Sequence, residues 1–112
     1  TLSGGDGNEN LFGQDGNDVL IGGSGFDQFT GGSGADRFVF GTGSYVDQIH
    51  DMNAAQGDLI DISDYTHGVV NGGGVVISQS GSDTQINLGD GNLITVIGVT
   101  YNNAAFLSHI IW

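Results

Sequence analysis

The sequence contains no cysteine and no proline, and only one of its 112 residues is Lys or Arg. Without cysteine, disulfides and thiolate metal sites are both excluded. The absence of proline excludes a collagen-like chain, and the 22 glycines indicate many tight turns in conformations that other residues avoid. No apolar run is long enough to span a bilayer. The sequence therefore predicts a turn-rich chain without covalent cross-links.

The charge balance is strongly one-sided. Thirteen acidic side chains accompany a single basic residue, Arg37, for a formal net charge of -12. At 38% hydrophobic residues, the chain has more apolar material than a disordered acidic tail, so we expect a folded domain. Charge repulsion opposes that fold and excludes nucleic acid as a partner. A metal cation is the simplest remaining counter-charge.

The length suits one folding unit. The sequence has neither an initiator Met nor an N-terminal signal peptide, and we expect a fragment of a larger soluble protein. No catalytic constellation is recognisable, so we expect no enzymatic activity of its own and a monomeric state. The histidines His50, His67 and His109 are scattered, which favours surface or packing roles over metal binding.

Internal repeats occupy the first third of the chain. Four nine-residue units follow one another in register, and each has an acid at its sixth position and a large apolar residue at its eighth. Glycines stand at the first, second and fourth positions, except that Gln14 replaces one of them, and Glu9 replaces an aspartate. The units are GGDGNENLF, GQDGNDVLI, GGSGFDQFT and GGSGADRFV, starting at Gly4, Gly13, Gly22 and Gly31.

The last three residues of each unit suit a short strand, and the first six suit a turn. Alternation along the strand predicts that the eighth-position residues point to one side and form the core. A three-residue strand buries too little alone, so the units must stack. The predicted core residues are Leu11, Leu20, Phe29 and Phe38.

The repeat decays after Phe40, although Gly41 and Gly43 keep glycine positions of a fifth unit. We place a repeat region at residues 1–44 and a β-rich cap at 45–112, with an antiparallel meander and one possible helical turn at Asn102–Phe106. The predicted strands of the cap are Tyr45–Asp51, Asp58–Ile62, Val75–Gln79, Thr84–Leu88, Leu93–Val99 and Leu107–Trp112.

Residues Gly4–Val39 resemble the GGxGxDxUx nonapeptides of the repeats-in-toxin (RTX) family. The following FVFGTGSYVDQIHDMNAAQGDLIDIS is similar to the segment after the last repeat in secreted proteases, lipases and mannuronan epimerases. The resemblance implies an all-β fold, a parallel β-roll with an antiparallel β-rich C-terminal cap. It implies that two units make one turn, so that unit one stacks on unit three, and unit two on unit four.

The resemblance also implies calcium between stacked units, held by backbone carbonyls and the sixth-position carboxylates. Calcium takes 6–8 oxygens, which glycine turns can supply. Because Glu9 carries an extra methylene, we expect its site to be distorted. The first implied site uses Gly4, Asp6, Glu9, Gly23, Gly25 and Asp27; the second uses Gly13, Asp15, Asp18, Gly32, Gly34 and Asp36.

Two further sites follow where the repeat decays. The third joins unit three to the decayed unit, and Asp47 replaces the expected acid there because Tyr45 occupies the strict sixth position. It uses Gly22, Ser24, Asp27, Gly41, Gly43 and Asp47. A fourth ion would bind Gly31, Ser33 and Asp36 if Asp51 reaches it. We thus expect about three calcium ions, or four.

The function implied is a calcium-dependent folding, stabilising and export module of a protein that leaves a Gram-negative cell through type I secretion machinery and acts outside it. The alternative is a calcium-dependent polysaccharide-binding or adhesion module. The parent could be a protease, lipase, epimerase or adhesin. The C-terminal residues Leu107–Trp112 are either a secretion signal or a closing strand, or both; as a strand, we expect them to pack against the sheet around Ile86 and Val96.

Overall fold

The computed structural model describes residues 1–41, 43–66, 74–89, 91–100 and 106–112. Their regular structure is mainly β-strand, alongside a 3₁₀ turn at Ala54–Gln56 and a short helix, α1, at Ser63–Thr66. The strands are β1 (Leu2–Asp6), β2 (Asn10–Phe12), β3 (Val19–Ser24), β4 (Gln28–Thr30), β5 (Arg37–Val39), β6 (Val46–Ile49), β7 (Leu59–Asp61), β8 (Val76–Ser80), β9 (Asp83–Gly89), β10 (Asn92–Val96) and β11 (Ile110–Ile111).

Successive strands of the repeats alternate between two sheets. The first sheet has the order β1-β3-β5-β7-β11, and the second has β2-β4-β6-β10-β9-β8. Strands of the repeats pair in parallel with the strand two units away, as Leu20 does with Phe38 and Leu11 with Phe29. Two units therefore make one turn of a parallel β-roll, as the resemblance implied.

The eighth-position residues fill the space between the sheets. Leu11, Leu20, Phe29 and Phe38 are all buried, which confirms the predicted core. The ring of Phe29 meets Phe38 edge-on at a centroid distance of 6.1 Å and Phe40 at 5.0 Å. Such edge-to-face contacts add to the area buried by each ring and fix how neighbouring turns stack.

The stacking does not end where the sequence pattern ends. Ile49 of β6 pairs with Phe29, and Ile60 of β7 pairs with Phe38, so two decayed units extend the roll beyond residue 44. The offsets between these partners are 20 and 22 residues, against 18 within the strict repeats. The extra residues lie in turns, one of which is the 3₁₀ turn Ala54–Gln56, capped by the side chain of Asn53.

The predicted antiparallel meander is formed by β8, β9 and β10. Strand β10 also pairs in parallel with β6, so the meander continues the second sheet. Asp90, between β9 and β10, lies outside the described residues, as does most of the helical turn predicted at Asn102–Phe106.

The C-terminal strand joins the first sheet. Strand β11 pairs in parallel with β7, placing Ile110 opposite Ile60. The predicted partners Ile86 and Val96 belong to the second sheet, and Ile110 shares one buried cluster with them. The C-terminal strand thus extends the first sheet by hydrogen bonding. The pattern of apolar residues does not distinguish this arrangement from packing against the second sheet.

Candidate metal centre

The sixth-position acids of units one and three form a ladder with Asp47 along one edge of the roll. The backbone N–H of Glu9 donates to Asp27 Oδ1 at 2.9 Å, and the N–H of Asp27 donates to Asp47 Oδ1 at 2.9 Å. The register of the parallel strands sets this contact, because each acid comes one residue before a set of paired strand residues, Asn10, Gln28 and Gln48. We call Glu9, Asp27 and Asp47 the first ladder.

The opposite edge carries a second ladder of the same design. The N–H of Asp18 donates to Asp36 Oδ1 at 2.8 Å, and the N–H of Asp36 donates to Asp58 Oδ1 at 2.9 Å. Asp58 also accepts a hydrogen bond from the N–H of Asn53 at 2.8 Å. We call Asp18, Asp36 and Asp58 the second ladder; Asp27 and Asp36 are the middle members.

Each of the four repeat acids has one buried oxygen without a hydrogen-bond partner. Asp27 and Asp36 are each only 1% exposed, so water does not compensate these atoms. A buried, unpaired carboxylate oxygen is costly, and it indicates a cation that satisfies it. The four atoms are Glu9 Oε2, Asp18 Oδ2, Asp27 Oδ2 and Asp36 Oδ2.

The first glycine of each unit leaves room for that oxygen. A Cβ at Gly4 would lie 2.7 Å from Glu9 Oε2, and one at Gly13 would lie 2.9 Å from Asp18 Oδ2. At Gly22 and Gly31 the corresponding Cβ would collide with the second oxygen of Asp27 and Asp36. Only glycine therefore permits a carboxylate oxygen to lie against the turn backbone.

The second and fourth glycines bring stacked turns into close contact. Gly23 and Gly25 have φ of 97° and 129°, in the region that other residues rarely adopt. A Cβ at either would collide with the carbonyl of Gly5 or Gly7 in the turn below. On the other edge, Gly32 and Gly34 lie against the carbonyls of Gln14 and Gly16 in the same way. Backbone carbonyls thus lie at the contacts between stacked turns on both edges of the roll.

The third-position side chains point away from the ladders. Asp6 Oδ1 accepts a hydrogen bond from the Ser24 hydroxyl at 2.8 Å, and Asp15 Oδ1 accepts one from Ser33 at 2.7 Å. Both pairs are exposed. This placement agrees with the expectation that these positions contribute carbonyls rather than carboxylates.

The implied third site is only partly assembled as expected. Asp47 joins the first ladder and is 1% exposed. The carbonyl of Gly41, however, accepts hydrogen bonds from Ser44 Oγ and Tyr65 OH, both at 2.6 Å. These two hydroxyls use both lone pairs of the carbonyl, so Gly41 closes the turn instead of offering an oxygen. Gly43 has a φ of 88°, which is positive like that of the fourth glycines Gly25 and Gly34 in the complete units.

The acid next to Asp36 is Asp58 and not Asp51, which was expected for the implied fourth site. Asp51 binds the turn backbone, because its two oxygens accept hydrogen bonds from the N–H groups of Gly31 and Gly32, each at 2.8 Å. Asp58, which the sequence analysis placed at the start of the predicted strand Asp58–Ile62, takes the ladder position next to Asp36. The signal was present, because Asp58-Leu59-Ile60 repeats the acid, spacer and core-residue order of the complete units.

At Glu9, Asp47 and Asp58 the surroundings disfavour the ionised carboxylate in the absence of a cation. Burial raises the pKa of Asp47 to about 7, with a further contribution from Asp27. Burial also raises the pKa of Glu9, as do the neighbouring Asp27 and Asp6. At Asp58, burial raises the pKa although the N–H groups of Asp36 and Asn53 oppose it. A divalent cation would reverse this balance.

The donor set fits a hard cation. No three His, Cys, Asp or Glu side chains converge as a ligand group anywhere in the described part of the chain, so a site must combine ladder carboxylates with backbone carbonyls. His50 contacts Gln28, and His109 contacts the carbonyl of Asp58; His67 lies outside the described residues. Oxygen-only coordination with adaptable geometry suits calcium, which Glu9, Asp27, Asp18, Asp36 and the adjoining glycine turns would hold.

Replacing Gly23 by Ala should destabilise the fold far more than replacing Gly5. The two glycines hold the same repeat position with φ of 97° and 109°, so both variants incur left-handed strain of about 1–2 kcal/mol. At Gly23 the new methyl also meets the Gly5 carbonyl, whereas at Gly5 nothing lies within 4 Å. We expect a total loss of about 3 kcal/mol or more for Gly23→Ala, measured by urea unfolding in calcium. Equal losses would show that close stacking is unimportant.

Comparison with known proteins gives a family match for the repeat region. The model of the RTX calcium-binding nonapeptide repeat, in four copies, matches residues 3–38 and 12–46. A comparison with curated proteins found no match.

Two solved structures share the fold. The extracellular lipase LipA from Serratia marcescens is 25% identical with a TM-score of 0.65, over 97% of this chain and 20% of the lipase chain. The AlgE6R3 subunit from the Azotobacter vinelandii mannuronan C5-epimerase is 24% identical with a TM-score of 0.63, over 96% of this chain and 79% of that subunit. The present chain thus spans a fifth of the lipase.

Proposed function

Residues 3–46 belong to the RTX calcium-binding nonapeptide repeats, and on that premise we propose that the chain is a calcium-dependent folding, stabilising and export module. In this proposal it is the C-terminal part of a larger protein that leaves a Gram-negative cell by type I secretion. Calcium and the secretion machinery are its partners, and catalysis belongs to the rest of the parent. The roll and its cap form one monomeric folding unit.

The observation that carries this proposal is the set of four buried carboxylate oxygens without hydrogen-bond partners. A domain selected for stability in the absence of a ligand would hydrogen-bond such atoms or replace them. Here the repeat keeps them and places each one against the first glycine of its unit. We propose calcium between adjacent ladder members: Glu9 with Asp27, Asp27 with Asp47, Asp18 with Asp36, and Asp36 with Asp58. In this arrangement Gly41 and Asp51 stabilise the turns by hydrogen bonding and do not bind calcium.

The energetics allow calcium to control folding. Extracellular-type sites have Kd of about 10⁻⁴–10⁻³ M, and a tenfold excess of ligand contributes about 1.4 kcal/mol per site. Four sites together give about 6 kcal/mol, a large part of a typical domain stability of about 5–15 kcal/mol. With a formal charge of -12, the chain should remain extended where calcium is scarce and fold where it is abundant.

The comparisons support an extracellular setting for this proposal, since one structural neighbour is an extracellular lipase. No helix in the described part of the chain is long and apolar enough to cross a membrane.

Proton competition provides a test of the proposed function. The folded-state pKa of Asp47, about 7, lies above its ordinary value of 3.8, so the metal-free fold binds more protons than the unfolded chain between these pH values. The stability that Asp47 contributes to the metal-free fold is fully present below pH 3.8 and is lost as the pH rises through about 7. Calcium must displace that proton. We therefore expect the calcium midpoint of folding to be higher at pH 5.5 than at pH 7.5.

Circular dichroism during calcium titration at the two pH values measures this shift, and Asp47→Asn should reduce it. Asp61 provides an internal contrast. Burial alone would raise the pKa of Asp61, but hydrogen bonds from Ser63 and Arg37 hold it below 3.8. The stability that Asp61 contributes is therefore present at both pH 5.5 and pH 7.5 and is lost only at more acidic pH. A calcium midpoint that falls on acidification would contradict calcium binding at the ladders.

A further inference from the structure

A row of neutral hydrogen-bonding side chains crosses the outer face of the second sheet. Each member is the strand partner of the next, so the row follows the hydrogen-bonding direction over six strands. At a strand spacing of about 4.8 Å it extends over roughly 24 Å. The row is Asn10, Gln28, Gln48, Thr95, Gln85 and Ser78, in spatial order.

These side chains face solvent, because their chain neighbours are the buried residues of the core. Ile49, Ile94 and Ile86, for example, point inward beside Gln48, Thr95 and Gln85. Within the described part of the chain, Gln28 is the member of the row whose side chain forms a hydrogen bond, with His50 at 3.1 Å. The other amides and hydroxyls of the row are therefore available to a ligand.

Two exposed aromatic rings stand beside the row. Phe26 and Tyr45 are 55% and 52% exposed and stack with a centroid distance of 6.2 Å and an interplanar angle of 23°. Tyr45 has a φ of 64°, a strained conformation for a non-glycine residue. Strain of this kind persists where it positions a side chain for use.

A shallow depression joins the ring of Phe26 to the row. Phe26 and Val46 contribute apolar walls, and Gln28 and Gln48 contribute amides from the row; Asp27 also lines it, but its carboxylate is buried. The depression therefore offers flat apolar surface beside groups that both donate and accept hydrogen bonds. Sugar rings have this combination of an apolar face and an edge of hydroxyls, and aromatic and amide side chains are complementary to it.

Charge determines which polysaccharide fits. The row contains no ionisable side chain, while the chain as a whole carries a formal charge of -12. The one basic side chain, Arg37, is in the other sheet and paired with Asp61. An anionic polymer would be repelled without gaining a cationic contact. We propose that this face binds an extended neutral polysaccharide, whose sugars stack on Phe26 and Tyr45 and hydrogen-bond along the row of amides.

Affinity electrophoresis of the calcium-saturated chain tests the proposal. The gels contain hydroxyethylcellulose, galactomannan or dextran as neutral polymers, and alginate as the anionic one. We expect at least one neutral polymer to retard the chain and alginate not to. Phe26→Ala and Gln48→Glu should each weaken retardation about tenfold, as loss of a central contact does. Val19→Ala, on the outer face of the other sheet, should leave it unchanged.

The calcium midpoint of folding is measured for each variant, so that loss of the fold is distinguished from loss of binding. Should Phe26→Ala fail to fold, Gln85→Ala tests the row from three strands away. Retardation by none of the neutral polymers, retardation by alginate alone, or native binding by folded Phe26→Ala and Gln48→Glu would each overturn the proposal. None of these results depends on the export role.

Discussion

Removal of calcium should unfold this chain. Without the cation, the repeat carboxylates repel one another, and the four unpaired oxygens of the ladders are buried at a cost that the short strands do not offset. Strands β2, β4 and β5 have three residues each, so no single turn of the roll is stable alone. We expect near-complete loss of β-structure in excess chelator at pH 7.5, measured by circular dichroism.

Magnesium is the matched control for this experiment. It has the same charge as calcium and screens repulsion equally, but its rigid octahedral coordination and reluctant dehydration do not suit carbonyl-rich turns. Millimolar magnesium should therefore leave the chain unfolded. Full refolding in magnesium would show that general charge screening, rather than calcium coordination, holds the structure.

Loss of Asp27 should have the largest effect among the carboxylates of the first ladder. Its Oδ1 accepts from the N–H of Glu9, its N–H donates to Asp47, and its Oδ2 has no hydrogen-bond partner. One side chain would therefore serve two calcium positions. A hydrogen bond to a charged group is worth about 1.5–3 kcal/mol, and we expect Asp27→Ala to raise the calcium midpoint about tenfold or more and to lower the stoichiometry.

Asp27→Asn separates charge from packing, because it keeps an oxygen for the N–H of Glu9 but removes the negative charge. It should be nearly as damaging as Asp27→Ala. Asp36 is the middle member of the second ladder, so Asp36→Ala should raise the calcium midpoint as much as Asp27→Ala. Asp18 lies at the end of that ladder, and Asp18→Ala should raise the midpoint less. Calorimetric titration measures midpoint and stoichiometry together.

Two controls define what would contradict this ranking. Asp15 is exposed and bonds the Ser33 hydroxyl, so Asp15→Ala should stay within about 0.5 kcal/mol. Asp64 lies in α1, outside both ladders, and its replacement by Ala should have a small effect. If either variant proves as damaging as Asp27→Ala, the stacking register does not determine the calcium sites.

Where the repeat is strict, residue pattern and stacking agree. Nine-residue periodicity placed Leu20 and Phe38 at equivalent positions, and the family resemblance implied that they stack 18 residues apart. The glycine positions are where the stacked turns come into contact. Asp47 could also be assigned, since only a two-residue insertion separates it from the repeat register.

Where the register is broken, local pattern is not sufficient. Between β5 and β7 the chain has four more residues than the strict repeat, so that Asp51 and Asp58 are both candidate acids by sequence. Only the pairing of β7 with β5 selects Asp58 for the ladder. The carbonyl of Gly41 is occupied by Tyr65, which lies 24 residues away. The choice of β7 as the partner of β11 is likewise a long-range contact, and alternating hydrophobicity carries no information about which edge a strand joins.

The central claim is that calcium at the two ladders and folding are one event. The most direct measurement titrates the metal-free chain with calcium while circular dichroism and bound metal are recorded on the same sample. The account predicts that β-structure and bound calcium rise together at a midpoint of about 10⁻⁴–10⁻³ M. A full β-signal before calcium binds, or calcium bound without any gain in structure, would contradict it.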